Sequence, residues 1–195
     1  MTKDLFDFDL KFGVKFLAGI DEVGRGPLAG PVTTACCMLP LDEPIDKIND
    51  SKKLSEMRRE KLYDLITAKA AYSVASVSNE EIDELNILEA TKKAMRECAG
   101  NLMPVPELIL IDAVKLDLGV KTESIIHGDA LSYNIAAASI VAKVARDRFM
   151  IQADKLYPQY GFAKNKGYGT AEHIAALKKY GPCPLHRRTF IKNFI

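Results

Sequence analysis

Apolar and polar residues along this chain switch between two periods, and the switches outline an α/β protein. Phe16 to Ile20 reads as a buried strand, and Val32 to Met38 as a second one joined to it by a glycine-rich turn. Pro40 to Asp50 is a polar loop. Ser55 caps a predicted helix running through about Ala70, with Leu62, Leu65 and Ile66 on its apolar side. Ala71 to Val77 is a third strand. Ser78 followed by Glu81 fits a capping box that opens a helical region reaching about Ala99. Pro104 and Pro106 interrupt the pattern, and Leu108 to Ile111 is a fourth strand, apolar throughout and therefore covered on both faces. Thr122 to Ile126 is a fifth. The alanine-rich run from Leu131 to about Leu156 predicts the longest helix, and Thr170 caps a last helix that ends at Gly181. This order predicts an α/β fold: a mixed sheet of about five strands flanked by helices, with a small helical C-terminal region from about residue 157 to 195.

Composition narrows the class without naming a chemistry. The 195 residues fit one domain with a substantial core, and 48% hydrophobic with 27% charged residues is ordinary for a soluble globular chain. The N-terminus lacks the basic-then-apolar layout of a signal peptide and no apolar run approaches a membrane span, so the expected location is the cytoplasm. Cys36, Cys37, Cys98 and Cys183 show no paired metal-ligand spacing and read as thiols of a reducing compartment. Net charge is only +1, but residues 143–195 are markedly basic while much of the acid lies in residues 1–129. That asymmetry suits a polyanionic substrate lying beside an acidic centre.

Three separated segments place a carboxylate beside something suited to phosphate. Asp21 and Glu22 end an apolar run and pass into Gly24-Arg25-Gly26; Asp112 closes the fourth strand; Asp129 follows the fifth. Neighbouring carboxylates repel and are costly to desolvate, whereas a hard divalent cation gives a reason to gather them. The glycines permit close backbone approach to a ligand, and Arg25 offers a planar fork for phosphate. Strand ends of open α/β sheets are where ligands bind, so all three acidic segments can meet at one sheet edge. Blander readings compete for several residues. Asp129 alone reads as an N-cap of the long helix, and Gly-Arg-Gly alone as an ordinary turn. Lys143 and Arg146 read as solvated or ion-paired helix surface with phosphate contact as an addition, and Asp147 as a structural ion-pair partner. Tyr168, in a glycine-flanked loop with little core to enter, favours stacking on nucleic acid. His127, His173 and His186 are too scattered for a zinc site.

Together these segments resemble ribonuclease HII, the type 2 ribonuclease H family that cleaves the RNA strand of RNA–DNA hybrids. The resemblance is carried by Gly19 to Pro31, Asp50-Ser51-Lys52-Lys53-Leu54, Ile111-Asp112, Gly128-Asp129, Ala136 to Asp147, Lys166 to Thr170 with His173, and His186 to Phe190. It implies a ribonuclease H-like fold over residues 1–195 and two Mg²⁺ or Mn²⁺ ions held by Asp21, Glu22, Asp112 and Asp129. It also implies that Gly24, Arg25 and Gly26 sense the ribose 2′-OH and that Tyr168 stacks on the following sugar. Lys52, Lys143, Arg146 and Lys166 are added as candidate substrate contacts. The implied substrates are RNA–DNA hybrid and duplex DNA carrying ribonucleotides, cut 5′ of the ribonucleotide to leave 3′-hydroxyl and 5′-phosphate ends. A monomer is expected. His127 and Thr189 stand where the family often has Lys and Ser. Two rivals remain: a binding module without catalysis, and another nuclease on the same fold.

Overall fold

The computed structural model describes residues 2–195. Its sheet contains β1 (Leu17–Val23), β2 (Val32–Met38), β3 (Ala71–Val77), β4 (Leu108–Asp112) and β5 (Lys121–Ile125), in the order β3-β2-β1-β4-β5. β1 to β3 are antiparallel neighbours, while β1, β4 and β5 run parallel. The sheet is therefore mixed, as expected. β1 extends past Ile20 to Val23, which makes Asp21 and Glu22 strand residues rather than turn residues.

Helices cover both faces. α1 (Thr2–Leu10), α2 (Glu56–Lys69) and the long α6 (Tyr133–Leu156) cover one, and α4 (Ile87–Gly100) covers the other. Three caps form where the pattern placed them: Ser55 on α2, Ser78 on α3 (Asn79–Leu85) and Thr170 on α8 (Ala171–Tyr180). The helical region after Ser78 is not continuous. Asn86 takes φ +70°, ends α3, and its side chain accepts from the amides of Leu88 and Glu89 to start α4. The short α7 (Phe162–Asn165) precedes α8, which is not the last helix, because α9 (Arg188–Ile191) follows. Nothing in the hydrophobic pattern marked α1. It packs Leu5 and Phe6 onto the core and is tied to α6 by a buried carboxylate: Asp9 accepts from the Asn134 backbone amide at 2.9 Å and side-chain amide at 3.0 Å.

α6 lies unusually close to β1. A Cβ at Gly19 would stand 2.2 Å from both the Asn134 carbonyl carbon and the Ile135 nitrogen, so only glycine fits there. All four cysteines are free and buried. No helix among the described residues is long and apolar enough to cross a membrane.

Candidate active site

The register of β1 and β4 builds the acidic centre. Ile20 pairs with Ile111, so the next residues, Asp21 and Asp112, leave the two strands side by side at their carboxyl ends. Strand alternation puts both on the face of Leu17, Leu108 and Leu110, against Ile135 of α6. Asp129 arrives from α5 (Gly128–Leu131), the short turn that joins β5 to α6. One carboxylate oxygen from each of the three aspartates lies within 4.8 Å of the others. Glu22, one residue further along β1, is not part of that triad. Its Oε1 faces Arg25 Nη1 at 3.4 Å, and its Oε2 is buried without a hydrogen-bond partner.

These carboxylates oppose one another electrostatically. Burial, then the charges of Glu22 and Asp112, raise the Asp21 carboxyl well above its ordinary range. Burial also raises Asp112, although the Gly128 amide donates to its Oδ1 at 2.6 Å and partly offsets this. Burial raises Glu22 against the pull of Arg25. Lys52 Nζ reaches Asp129 Oδ2 at 3.2 Å and, among the described residues, is the one side-chain ammonium on the triad. A repelling acid set with an orphaned buried oxygen beside it fits a divalent cation bound through carboxylates.

Asp129 does not cap the long helix. Ser132 occupies that position and accepts from the Ile135 amide at 3.2 Å. Asp129→Asn is therefore expected to abolish cleavage with almost no change in melting temperature, while Ser132→Ala should cost about 1 kcal/mol and spare the chemistry. Thermal melts and cleavage rates on the same preparations check both.

The Gly24–Gly26 turn is held from beneath by two arginines, both fully buried. Arg187 donates to the carbonyls of Gly24 (2.6 Å), Arg25 (3.0 Å) and Gly30 (2.8 Å). Arg146 donates to Pro31 (2.9 Å), Ala29 (3.1 Å) and Lys166 (2.9 Å). Gly24 has φ +93°, and a Cβ there would meet Arg146 Nε at 2.2 Å. Gly26 faces open space. The phosphate contact expected of Arg146 does not stand, because its donors are spent on backbone oxygens within the protein. The basic surface expected of residues 143–195 shrinks in the same way. Lys143 is bound to Asp147 at 2.5 Å, with Arg59 3.9 Å from the same carboxylate, and Lys166 Nζ donates to the Ala163 carbonyl. Arg187 sits in one of the motifs, but its role was not legible there: a buried arginine reading distant carbonyls has the same local sequence as an exposed one.

Tyr168 stays available, with 42% of its surface exposed, and the Arg146 guanidinium lies 6.0 Å from its ring centroid. Behind it, two of the three histidines that look scattered in sequence converge. His173 Nε2 and His186 Nε2 are 3.1 Å apart in a buried box with Tyr160 and Phe162. Burial and the neighbouring His173 lower His186 to about 4, and burial lowers His173 too. The unfolded chain takes up a proton on His186 first as pH falls. This contribution to stability is therefore complete above about pH 6.5 and is lost as pH falls toward 4. An NMR titration of the imidazole signals should show His186 neutral through the physiological range.

A mixed sheet with acids gathered at the ends of β1 and β4 defines a ribonuclease H-type hydrolase. The comparisons are consistent. The family model described as Ribonuclease HII matches residues 18–193. A ribonuclease HII from Acetivibrio thermocellus is 58% identical over 185 residues, covering 94% of this chain and 72% of that protein. One from Caldanaerobacter subterraneus is 55% identical and is covered over 77% of its length. Among solved structures, ribonuclease H2 from Pyrococcus horikoshii gives a TM-score of 0.76 at 27% identity, over 89% of this chain and 93% of that one. RNase HII from Archaeoglobus fulgidus, solved in complex with PCNA, gives 0.77 at 27% identity, over 91% and 96%. The chain belongs to the ribonuclease HII family and is a ribonuclease H.

Proposed function

We propose that this ribonuclease cuts RNA–DNA hybrids and duplex DNA on the 5′ side of embedded ribonucleotides, using two divalent ions held by Asp21, Asp112, Asp129 and Glu22. The observation that supports it most is the aspartate triad, three carboxylate oxygens within 4.8 Å, two from strand ends and one from α5, beside an unpartnered Glu22 oxygen. Ions bound there, Mg²⁺ or Mn²⁺, supply an activated water and neutralise charge at the leaving oxygen. A Bst-RNase HIII that shares the fold, at a TM-score of 0.68, was crystallised in complex with Mn²⁺.

The remaining roles fall to the chain itself. The Asp21 and Asp112 carboxylates are placed by strand register, so they bind without reorganising. Gly26 leaves space for a ribose edge to approach the backbone, and the 2′-OH is the group by which a protein tells RNA from DNA. Arg25 lies against Glu22 and can exchange that partner for phosphate. The exposed Tyr168 ring fits over the deoxyribose that follows a ribonucleotide. Water attacks phosphorus and the 3′-oxygen leaves, so the products carry 3′-hydroxyl and 5′-phosphate ends. We assign Lys52 to the phosphate beside Asp129, and we place the cytoplasm as the site of action and the monomer as the working form.

The test is a cleavage assay on duplex DNA, continuous hybrid and DNA with one ribonucleotide, with and without EDTA. Metal-dependent cutting of the second and third, with the nick 5′ of the lone ribonucleotide, is the expected result. Tyr168→Ala should slow the single-ribonucleotide substrate by roughly tenfold or more and continuous hybrid less, as expected for one lost stacking contact. Equal losses on the two substrates would remove the junction-sensing role.

A further inference from the structure

His186 Nδ1 lies nearest the Cys183 backbone N–H, with Cys183 Sγ at 3.2 Å and the Cys183 carbonyl at 3.4 Å, and this fixes the assignment of both rings. The Cys183 backbone N–H donates to His186 Nδ1 at 3.0 Å, so His186 carries its proton on Nε2. That proton points at His173 Nε2, 3.1 Å away, which must then present a lone pair. His173 therefore carries its own proton on Nδ1 and donates it to the Tyr168 carbonyl at 2.8 Å. The far end is anchored as well. His186 forms an isolated antiparallel bridge with Ala29, and Gly30 N donates to Leu185 O at 2.9 Å. These contacts tie residues 185–187 to the same segment that Arg187 grips beneath Gly24 and Arg25. On the other side, Leu28 N donates to Gly167 O at 2.8 Å. A Cβ at Gly167, where φ is +84°, would meet Ala29 O at 2.4 Å.

We propose that the His173–His186 pair is a positioning device that sets the backbone of Tyr168 relative to the Gly24–Gly26 turn, so that ring and turn address one substrate junction as a unit. This rests on the reading of Tyr168 as a substrate contact. Neither histidine touches substrate; both act through the Tyr168 carbonyl. A neutral, water-excluded pair suits this task, because each ring has one donor and one acceptor and both are used directionally.

The test compares kcat and KM on the single-ribonucleotide duplex and on continuous hybrid for His173→Asn, His173→Gln, Tyr168→Ala and the Tyr168→Ala/His173→Gln double variant. Asparagine places an amide near imidazole Nδ1 and keeps the donor to Tyr168; glutamine places it near Nε2 and loses that donor. Expected is a near-wild-type substrate ratio for His173→Asn and a roughly tenfold shift for His173→Gln, the size of one lost hydrogen bond. The double variant should be no worse than Tyr168→Ala alone, because both changes remove one function. Equal losses on both substrates, losses that add in the double variant, or failure of His173→Asn to rescue would overturn the proposal. If Tyr168→Ala keeps the wild-type ratio, the reading of Tyr168 itself fails. If it shifts the ratio and His173→Gln does not, only the positioning role fails. Should His173→Gln not fold, ¹⁵N imidazole signals of the wild-type protein decide. Nε2–H on His186 with Nδ1–H on His173 supports the assignment, and any other pair of tautomers overturns it.

Discussion

Asp21→Asn is expected to abolish turnover and, in the metal-free protein, to raise the melting temperature. The carboxylate is buried 6% exposed among Glu22, Asp112 and Asp129, and burial is the largest cause of its raised pKa. Asparagine keeps an oxygen to accept the Glu22 amide, which donates to Asp21 Oδ1 at 2.7 Å, and removes the charge. Loss of one of the carboxylates proposed to hold the ions should cut kcat by roughly three orders of magnitude or more. The stability gain should be on the order of 1–2 kcal/mol, about 3–6 °C for a chain of this length. Its size depends on pH. A carboxyl whose folded pKa is raised is easiest to accommodate when protonated, so the wild type loses stability as pH rises above the ordinary carboxylate value. The gain from Asn should therefore be full near pH 8 and shrink toward pH 4. Adding Mn²⁺ should raise the wild-type melting temperature by mass action and leave Asp21→Asn nearly unmoved. A melting temperature of Asp21→Asn below wild type at pH 8 without metal would show that the acid set is not under repulsion.

The second large effect concerns a residue that touches no substrate. Arg187→Met should cost about 3–5 kcal/mol, because the guanidinium is fully buried and its loss strands the carbonyls of Gly24, Arg25 and Gly30. That corresponds to a fall of roughly 10 °C or more. Arg187→Lys should recover little, since an ammonium cannot serve three divergent acceptors as a planar fork does. Where the variant folds, activity should fall through the released turn even though all four acids remain. Chemical denaturation and single-turnover cleavage read the two losses separately. A change under 1 kcal/mol would mean water replaces the guanidinium, and the turn does not depend on it.

What could be read in advance depended on how local its cause was. The caps at Ser55, Ser78 and Thr170 were legible because the accepting side chain and the donated amides lie within three residues. β4 was legible because a strand covered on both faces is apolar throughout. The break at Asn86 carried the same local mark, an Asn followed three residues later by Glu89, but it lay hidden inside a helical pattern. α1 had no such mark, because what fixes it is Asp9 meeting Asn134 far along the chain. The candidate site divides the same way. Asp21 and Asp112 stand out as acids closing apolar strands. Arg146, Arg187 and the two histidines do not, since the carbonyls gripped by the arginines lie 20 or more residues away and the two imidazoles meet across 13. Charge density along the sequence overstated the basic surface for the same reason. It counted arginines that solvate the backbone together with those that face water.

The close approach of β1 to α6 at Gly19 has a consequence for how such an enzyme can drift in sequence. Asp21 follows Gly19 by two residues on one side of that contact, and Asp129 precedes Asn134 by five on the other. The spacing of β1 from α6 is thus set by main chain resting on main chain, with no side chain at position 19 in between. Most cores breathe when a leucine becomes a valine, and distances across them follow. Here the hydrophobic layers can be rewritten residue by residue while the separation of the acids stays put, provided position 19 remains without a side chain. A lineage could accumulate wide change in its interior and keep its catalytic spacing, with one hydrogen atom as the tolerance.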